Sequence, residues 1–333
     1  MRIKSESWKT MPANNFTILR LILAMLVVFG HFKILSGLPI GNIIHSYADF
    51  AVDAFFIVSG YLIYGSFDNS PRLKSFAIKR FFRIYPLYFI IIITQFFIML
   101  WFLDGNVQIA DMVKYLASNL VFANFISPDM GGLLANAHNP AINASLWTLK
   151  IEIMFYMIVP LIYWAVKRKG VMVLIIIYAA SLAYALWANN YGSTFLAKQL
   201  PVQLRFFVIG IGLYMWRDKI KISHLPAFVL VVILFALCSL RYEWWMLPIY
   251  PFVIGGLVFL CALRLPVIPL KFDISYGVYL IHAPLIQIAL LLGFFEDSIS
   301  FLFMLVAVVY ILAFLVEKII EIPMVRLGKK YAK

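Results

Sequence analysis

Along this chain apolar residues come in long unbroken runs separated by short polar connections, without the narrow apolar stripe of a surface helix or the alternation of a half-buried strand. Runs of roughly the 20 residues that carry a helix across a bilayer fall at about 16–37, 48–66, 84–103, 144–165, 171–189, 200–216, 224–240, 244–263, 273–294 and 299–320. The pattern predicts an all-α protein, a polytopic membrane helix bundle of about ten transmembrane helices. The longest connection, about 104–143, holds a mildly amphipathic piece from Ile109 to Phe125 and then a Gly-, Asn- and Pro-rich stretch from Ser127 to Asn143. An interfacial helix followed by a loop over one mouth of the bundle is expected there.

Charge alternates from one connection to the next. One set holds Arg2, Lys4 and Lys9; Arg72, Lys74, Lys79, Arg80 and Arg83; Lys167, Arg168 and Lys169; Arg217, Lys219 and Lys221; Arg264 and Lys271; and Arg326, Lys329, Lys330 and Lys333. The opposite set has Lys114, Lys198 and Arg241, beside the acidic Glu296 and Asp297. Twenty basic residues against three orient the chain by the positive-inside rule, with both termini cytoplasmic.

Composition agrees with the runs. At 64% apolar and 13% charged residues the chain is not a soluble globule but a multi-span membrane protein. The net charge of +13 sits in short clusters between apolar runs, so topology accounts for it and a nucleic-acid partner is not implied. Cys238 and Cys261 each fall inside an apolar run, which leaves neither a disulfide framework nor a metal-ligand spacing and makes them packing residues. The first run is too long for a removable signal peptide, lacks a small-residue cleavage site and contains Arg20 and His31. With no repeat, low-complexity tract or soluble appendage, residues 1–333 read as one integral-membrane domain.

Ionisable groups at membrane depth are costly, which makes each a candidate for function. Arg20 and His31 are eleven residues apart, so one helix would carry both on a shared face about 16 Å apart. By the same rise per residue, His31 and Asp53 lie about 9 Å and about 7 Å below the outer surface. Asp49 shares the Asp53 face nearer the interface, where a solvated carboxylate is ordinary. Glu152 lies deeper in its run, and Lys150 points to another face. Asp53 and Glu152 each read equally well as structural partners of an intramembrane cation, and His282, just before Pro284, as a helix-kink cap. Arg80 and Arg83 are neighbours on one helical face. Two forked guanidiniums suit a phosphate or pyrophosphate, while a lone basic cluster is also the ordinary positive-inside anchor.

Taken in order, Arg20-x10-His31, DAFFIVSGYLI from Asp53, KRFFRIYPLY from Lys79, SLWTLKIEIMFY from Ser145, RFFVIGIGLY from Arg205, SYGVYLIHAP from Ser275 and EIPMVR from Glu321 resemble the acyltransferase-3 family of integral-membrane O-acyltransferases. The resemblance spans about Arg20 to Arg326. It implies a bacterial inner-membrane enzyme moving an acyl group, usually acetyl, from cytoplasmic acyl-CoA to a hydroxyl of a cell-surface or lipid-linked carbohydrate, without a metal. It also implies His31 as general base, with Glu152 or Asp53 as the carboxylate that orients it. Glu152 occupies the family's Trp-Thr-Leu-x-x-Glu motif and is the stronger of the two. Arg20, Arg80 and Arg83 are implied to hold the phosphates of acyl-CoA. Ser145, Trp147, Arg205, Tyr276 and His282 lie in further family motifs, with their division among donor, acceptor and structural roles open. Direct transfer is favoured over an acyl-histidine intermediate. The chain is expected to be a single-domain member, without the SGNH hydrolase-like domain that many relatives carry. The competing class is a transporter or flippase for a lipid-linked or anionic substrate. That class calls for broken helices in matching inverted halves, which the sequence does not display, and leaves the paired arginines unexplained.

Overall fold

The computed structural model describes residues 14–37, 42–192, 194–239, 247–296 and 298–333, with the side chains of 42–46, 194, 238 and 239 outside the description. Arg2, Lys4, Lys9, Arg241, Asp297 and the Cys238 side chain therefore lie outside the described residues. Among the described residues the regular structure is all helix, with no strand. Its helices are α1 (Phe16–Ser36), α2 (Asn42–Asp68), α3 (Leu73–Phe102), α4 (Ile109–Leu120), α5 (Trp147–Lys169), α6 (Met172–Asn190), the short α7 (Thr194–Ala197), α8 (Leu200–Trp216), α9 (His224–Ser239), α10 (Tyr250–Leu263), α11 (Ser275–Leu291), α12 (Ile299–Val316) and α13 (Ile322–Tyr331). A π-helical turn, Glu317–Glu321, joins the last two.

Seven of the described helical stretches are long and apolar enough to cross a membrane: Phe16–Ser36, Tyr47–Asp68, Leu73–Phe102, Ala144–Lys169, Met172–Asn190, Phe195–Trp216 and Ile299–Tyr331. The expected spans near 224–240, 244–263 and 273–294 are shorter apolar helices. α10 begins late, with Pro251 in its first turn, where the missing N–H costs nothing. α11 ends at Leu291 shortly before Gly293, whose φ of +70° is the left-handed conformation that commonly terminates a helix. In the other direction, α3 starts eleven residues ahead of the expected run at 84, so KRFFRIYPLY is part of the helix, with Pro86 inside it. Hydropathy locates the apolar part of a helix, whereas Lys and Arg are good helix formers that prolong it into polar surroundings. The amphipathic piece forms α4 and ends at Leu120.

α2 runs through the middle of the bundle, packed between α1 and α8. Its crossing with α8 is made by glycines: a methyl group on Gly60 would overlap the Phe207 carbonyl, and one on Gly210 the Ile57 carbonyl. Such close backbone approach is how membrane helices gain packing energy where lipid is as apolar as leucine. Around it Phe155 stacks on Phe207 with ring centroids 3.6 Å apart. α11 lies against α1 on one side and α12 on the other, while α3 packs against α13. These pairings bring residues distant in sequence to both ends of α1.

Candidate active site

Arg20, near the start of α1, meets Arg83 of α3 through Asp273, in the connection leading into α11. Arg20 Nη2 donates to Asp273 Oδ2 at 2.6 Å and Arg83 Nη2 to the same oxygen at 3.2 Å, while Arg83 Nη1 reaches Glu321 Oε2 at 3.0 Å. Asp273 is held in turn by the Ser275 hydroxyl on Oδ1 at 2.7 Å, and its own N–H donates to Glu317 Oε1 at 2.7 Å. Burial by itself raises the pKa of this carboxyl; the Arg20 and Arg83 guanidiniums outweigh that and hold it below the usual carboxylate range. Arg80, one turn from Arg83, donates from Nη2 to Ser66 Oγ at 2.7 Å and lies over the Phe76 and Tyr156 rings at 5.5 and 5.6 Å.

The three arginines line one cavity of about 130 Å³ in company with Glu152, Tyr156, Ser275, Tyr276, Thr148 and Tyr279. Nε of Arg20 and Nε of Arg80 are buried there without a hydrogen-bond partner, and an orphaned charged donor in a cavity wall is a ready contact for an anionic oxygen. Glu152 accepts a 2.6 Å hydrogen bond from the Tyr156 hydroxyl on Oε1. Tyr276 donates to the Ile84 carbonyl at 2.9 Å, bracing α11 against α3.

At the far end of the cavity, the Thr148 and Tyr279 hydroxyls are 2.6 Å apart. Behind Tyr279, at 6.0 Å between ring centroids, is His282. His282 is fully buried, and its Nε2 lies 3.1 Å from His31 Nδ1. The tautomers follow from the carbonyls. His282 Nδ1 is 2.9 Å from the Val278 carbonyl and His31 Nδ1 is 3.1 Å from the Val27 carbonyl; a carbonyl only accepts, so both Nδ1 atoms carry hydrogen. His282 Nε2 is then an acceptor facing the His31 Nδ1–H, and the lone pair of His31 falls on Nε2, the nitrogen suited to take a proton. The same i to i−4 carbonyl contact on two adjacent helices thus sets one histidine to orient the other.

The remaining sequence candidates lie around this axis. Ser145 Oγ is 2.6 Å from Asn143 Oδ1 and 3.0 Å from the Tyr279 carbonyl, pinning the start of α5 to α11. Trp147 has the Lys198 ammonium 5.3 Å from its ring. Arg205 is buried in α8 outside the cavity lining, with Nε and Nη1 lacking hydrogen-bond partners, and Asp53 is among the charges acting on it. The structure therefore brings Arg20, Arg80, Arg83, Glu152 and Tyr276 together in one cavity, pairs His31 with His282, and associates Asp53 with Arg205. Sequence reasoning passed over Asp273 and Glu317. Asp273 stands at the edge of one apolar run, where a carboxylate is ordinary, and Glu317 near the end of another; nothing local marks Asp273 as the link between two distant arginines. Among the described residues no group of histidines, cysteines or carboxylates is arranged to hold a metal ion.

Comparison with known proteins adds a family. A model described as an acyltransferase domain, that of the acyltransferase-3 family, matches residues 14–318. The chain is 26% identical to an O-acetyl transferase of Shigella phage Sf6 over 304 residues, covering 86% of this chain and 90% of the relative. It is 27% identical to nodulation protein 10 of Rhizobium leguminosarum bv. viciae over 326 residues, covering 84% of each. No solved structure matches.

Proposed function

Because the chain belongs to the acyltransferase-3 family, we propose that this multi-pass membrane acyltransferase is an O-acetyltransferase that takes its acyl group from acyl-CoA on the cytoplasmic side and delivers it to a hydroxyl of a cell-surface or lipid-linked carbohydrate. The phage relative, named an O-acetyl transferase, supports oxygen as the acceptor atom and acetyl as the group. In this reading the chain resides in a bacterial inner membrane with about ten spans and both termini cytoplasmic, so the arginine end of α1 faces the donor and the histidine end the acceptor.

The observation that carries the reading is the histidine couple at one end of α1 and the arginine cavity at the other. Arg20, Arg80 and Arg83 bind the donor's phosphates, using guanidinium N–H groups beyond those given to Asp273, Glu321 and Ser66. The orphaned Nε atoms of Arg20 and Arg80 support this. From there to His31 is about 16 Å along α1, a span suited to an extended pantetheine arm. His31 Nε2 removes the proton of the acceptor hydroxyl as its oxygen attacks the thioester carbonyl carbon. The C–S bond then breaks, the sulfur leaves with the former C–S electron pair, and His31 returns the proton to it. His282 accepts from Nδ1 throughout and steadies the imidazolium that forms between the two transfers, the part a carboxylate takes in a hydrolase triad. Glu152, held by Tyr156, faces the cavity beside the arginines, and Asp53 supports the bundle near Arg205.

The test is transfer of label from radiolabelled acetyl-CoA to a cell-envelope glycan fraction by the purified protein. We expect transfer by the wild type and a rate about 100- to 10,000-fold lower in His31→Ala. Transfer that persists unchanged in His31→Ala would overturn the mechanism.

A further inference from the structure

Away from the arginine cavity, two surfaces of opposite character meet at the end of α10. The first is a polar cleft of about 580 Å³ enclosed by the α8–α9 connection, the start of α9 and the last residues of α10. Arg217, Lys221, His224 and Arg264 line it with a single carboxylate, Asp218. Arg264 holds the cleft together: Nη1 donates to the Leu263 carbonyl at 3.0 Å, and Nη2 to the Arg217 carbonyl at 2.6 Å and to the Ile220 carbonyl. Its charge is met by neutral carbonyls, and the one carboxylate lies 3.5 Å from Arg217 Nε. The cleft is therefore cationic overall, with Lys221 exposed at its edge.

The second surface is an apolar groove of about 260 Å³ between α1, α2, α9 and α10, lined by residues such as Ile18, Ile22, Leu26, Phe50, Phe235 and Leu257. Asn15 at its end offers nothing polar to an occupant. Its Nδ2 donates to the Pro266 and Cys261 carbonyls at 3.0 and 3.2 Å, and its Oδ1 accepts from the Ile268 N–H at 2.8 Å. From Asn15 to Leu26 the groove runs about 16 Å along α1, close to half the ~30 Å hydrocarbon core and so to the depth of one leaflet. Ile22, Phe235 and Ile268 at the rim are 49%, 42% and 54% exposed, which opens the groove sideways into the bilayer. The surfaces adjoin in the chain itself: Leu263 and Arg264 belong to the cleft, Leu265 and Pro266 to the groove.

We propose that cleft and groove together bind one anionic glycerophospholipid of the leaflet on this side, its headgroup phosphate in the cleft and an acyl chain in the groove. A cationic recess at the membrane surface selects anionic headgroups. The leaflet-deep groove continuing from it separates a lipid from a free phosphate, which would use the cleft alone.

Native mass spectrometry of the full-length protein in neutral detergent, with equimolar phosphatidylglycerol and phosphatidylcholine of matched chains, tests this. Phosphatidylglycerol should be retained in preference. Lys221→Gln and Arg217→Gln should each lower its retention about fivefold, the worth of one basic residue near the surface, and leave phosphatidylcholine unchanged. Ile22→Trp, which fills the groove, should lower both lipids. Variants are compared at wild-type melting temperature; Lys221→Gln, at an exposed position, carries the test if Arg217→Gln misfolds. Equal retention of the two lipids by the wild type, or selectivity untouched by Lys221→Gln, overturns the proposal. So does displacement of phosphatidylglycerol by glycerol phosphate as readily as by lipid, or a doubled mass that Ile22→Trp abolishes, which would give the groove to a second copy of the chain.

Discussion

Replacing His282 with alanine removes the acceptor that faces His31 Nδ1 at 3.1 Å and leaves the Val27 carbonyl contact, also 3.1 Å, in place. His31 therefore keeps its tautomer and its lone pair on Nε2. What changes is the imidazolium of the transition state. A neutral hydrogen bond contributes about 0.5–1.5 kcal/mol net and one to a charged group about 1.5–3 kcal/mol. The part gained only as His31 becomes charged is the difference, about 1–2 kcal/mol. At about 1.4 kcal/mol per tenfold, kcat should fall about 5- to 30-fold. Loss of the base itself in His31→Ala should cost about 100- to 10,000-fold. The assay is the initial rate of label transfer from acetyl-CoA at varied donor and saturating acceptor, scaled to the folded fraction because His282 is fully buried and its truncation leaves a void. KM for the donor should stay at its wild-type value, since the arginine cavity is untouched, and His282→Gln, whose amide oxygen can accept, should recover part of the rate. A His282→Ala enzyme with wild-type kcat, or one altered only in donor KM, would refute the assignment of His282 as the residue that positions His31.

Three further outcomes follow from the geometry. Asp273→Asn strips the shared counter-ion from Arg20 and Arg83; with these side chains 22–26% exposed, the full cost of breaking a buried pair is reduced to about 1–3 kcal/mol, read as a lower melting temperature. Because the Asp273 pKa lies below its ordinary value, its stabilisation is present above the usual carboxylate range and lost as pH falls through the folded value, so the melting temperatures of the wild type and the variant should converge in acid. Arg80→Ala should raise donor KM with little loss of stability, because its guanidinium hydrogen-bonds Ser66, whereas Arg83→Ala should also lower the melting temperature by taking the cation from Glu321 and leaving Asp273 with Arg20 alone; equal effects of the two would contradict the division. Gly210→Leu drives a side chain into the Ile57 carbonyl and should cost at least the 1–3 kcal/mol usual for overpacking, seen as poor recovery of folded protein in detergent; unchanged recovery would mean that α2 and α8 do not cross there.

Much of this molecule is local information. Apolar runs of bilayer length, basic connections and ordered motifs are properties of consecutive residues, so the helical membrane class and the acyltransferase-3 membership could be read without coordinates. The adjacency of Arg80 and Arg83 on one helix was equally legible, because helical spacing alone places residues three apart side by side. Element ends were less so, since hydropathy records where lipid lies and helices extend past it, as α3 does from Leu73.

Tertiary packing decided the rest. His31 and His282 are 251 residues apart, and no spacing rule relates them; they meet because α11 lies against α1. Asp273 stands at the edge of its apolar run and gains its part only as α1, α3 and α11 converge on it, and Glu152, whose bond to Tyr156 one turn on is local to α5, meets the arginines only because α5 turns that face to their cavity. The sequence by itself determined which groups are too polar for the bilayer and on which helix each rides, because burial cost and helical period act along the chain. Which of them become partners was settled only by the crossings of helices, such as that of α2 with α8, where Gly60 and Gly210 let the backbones approach.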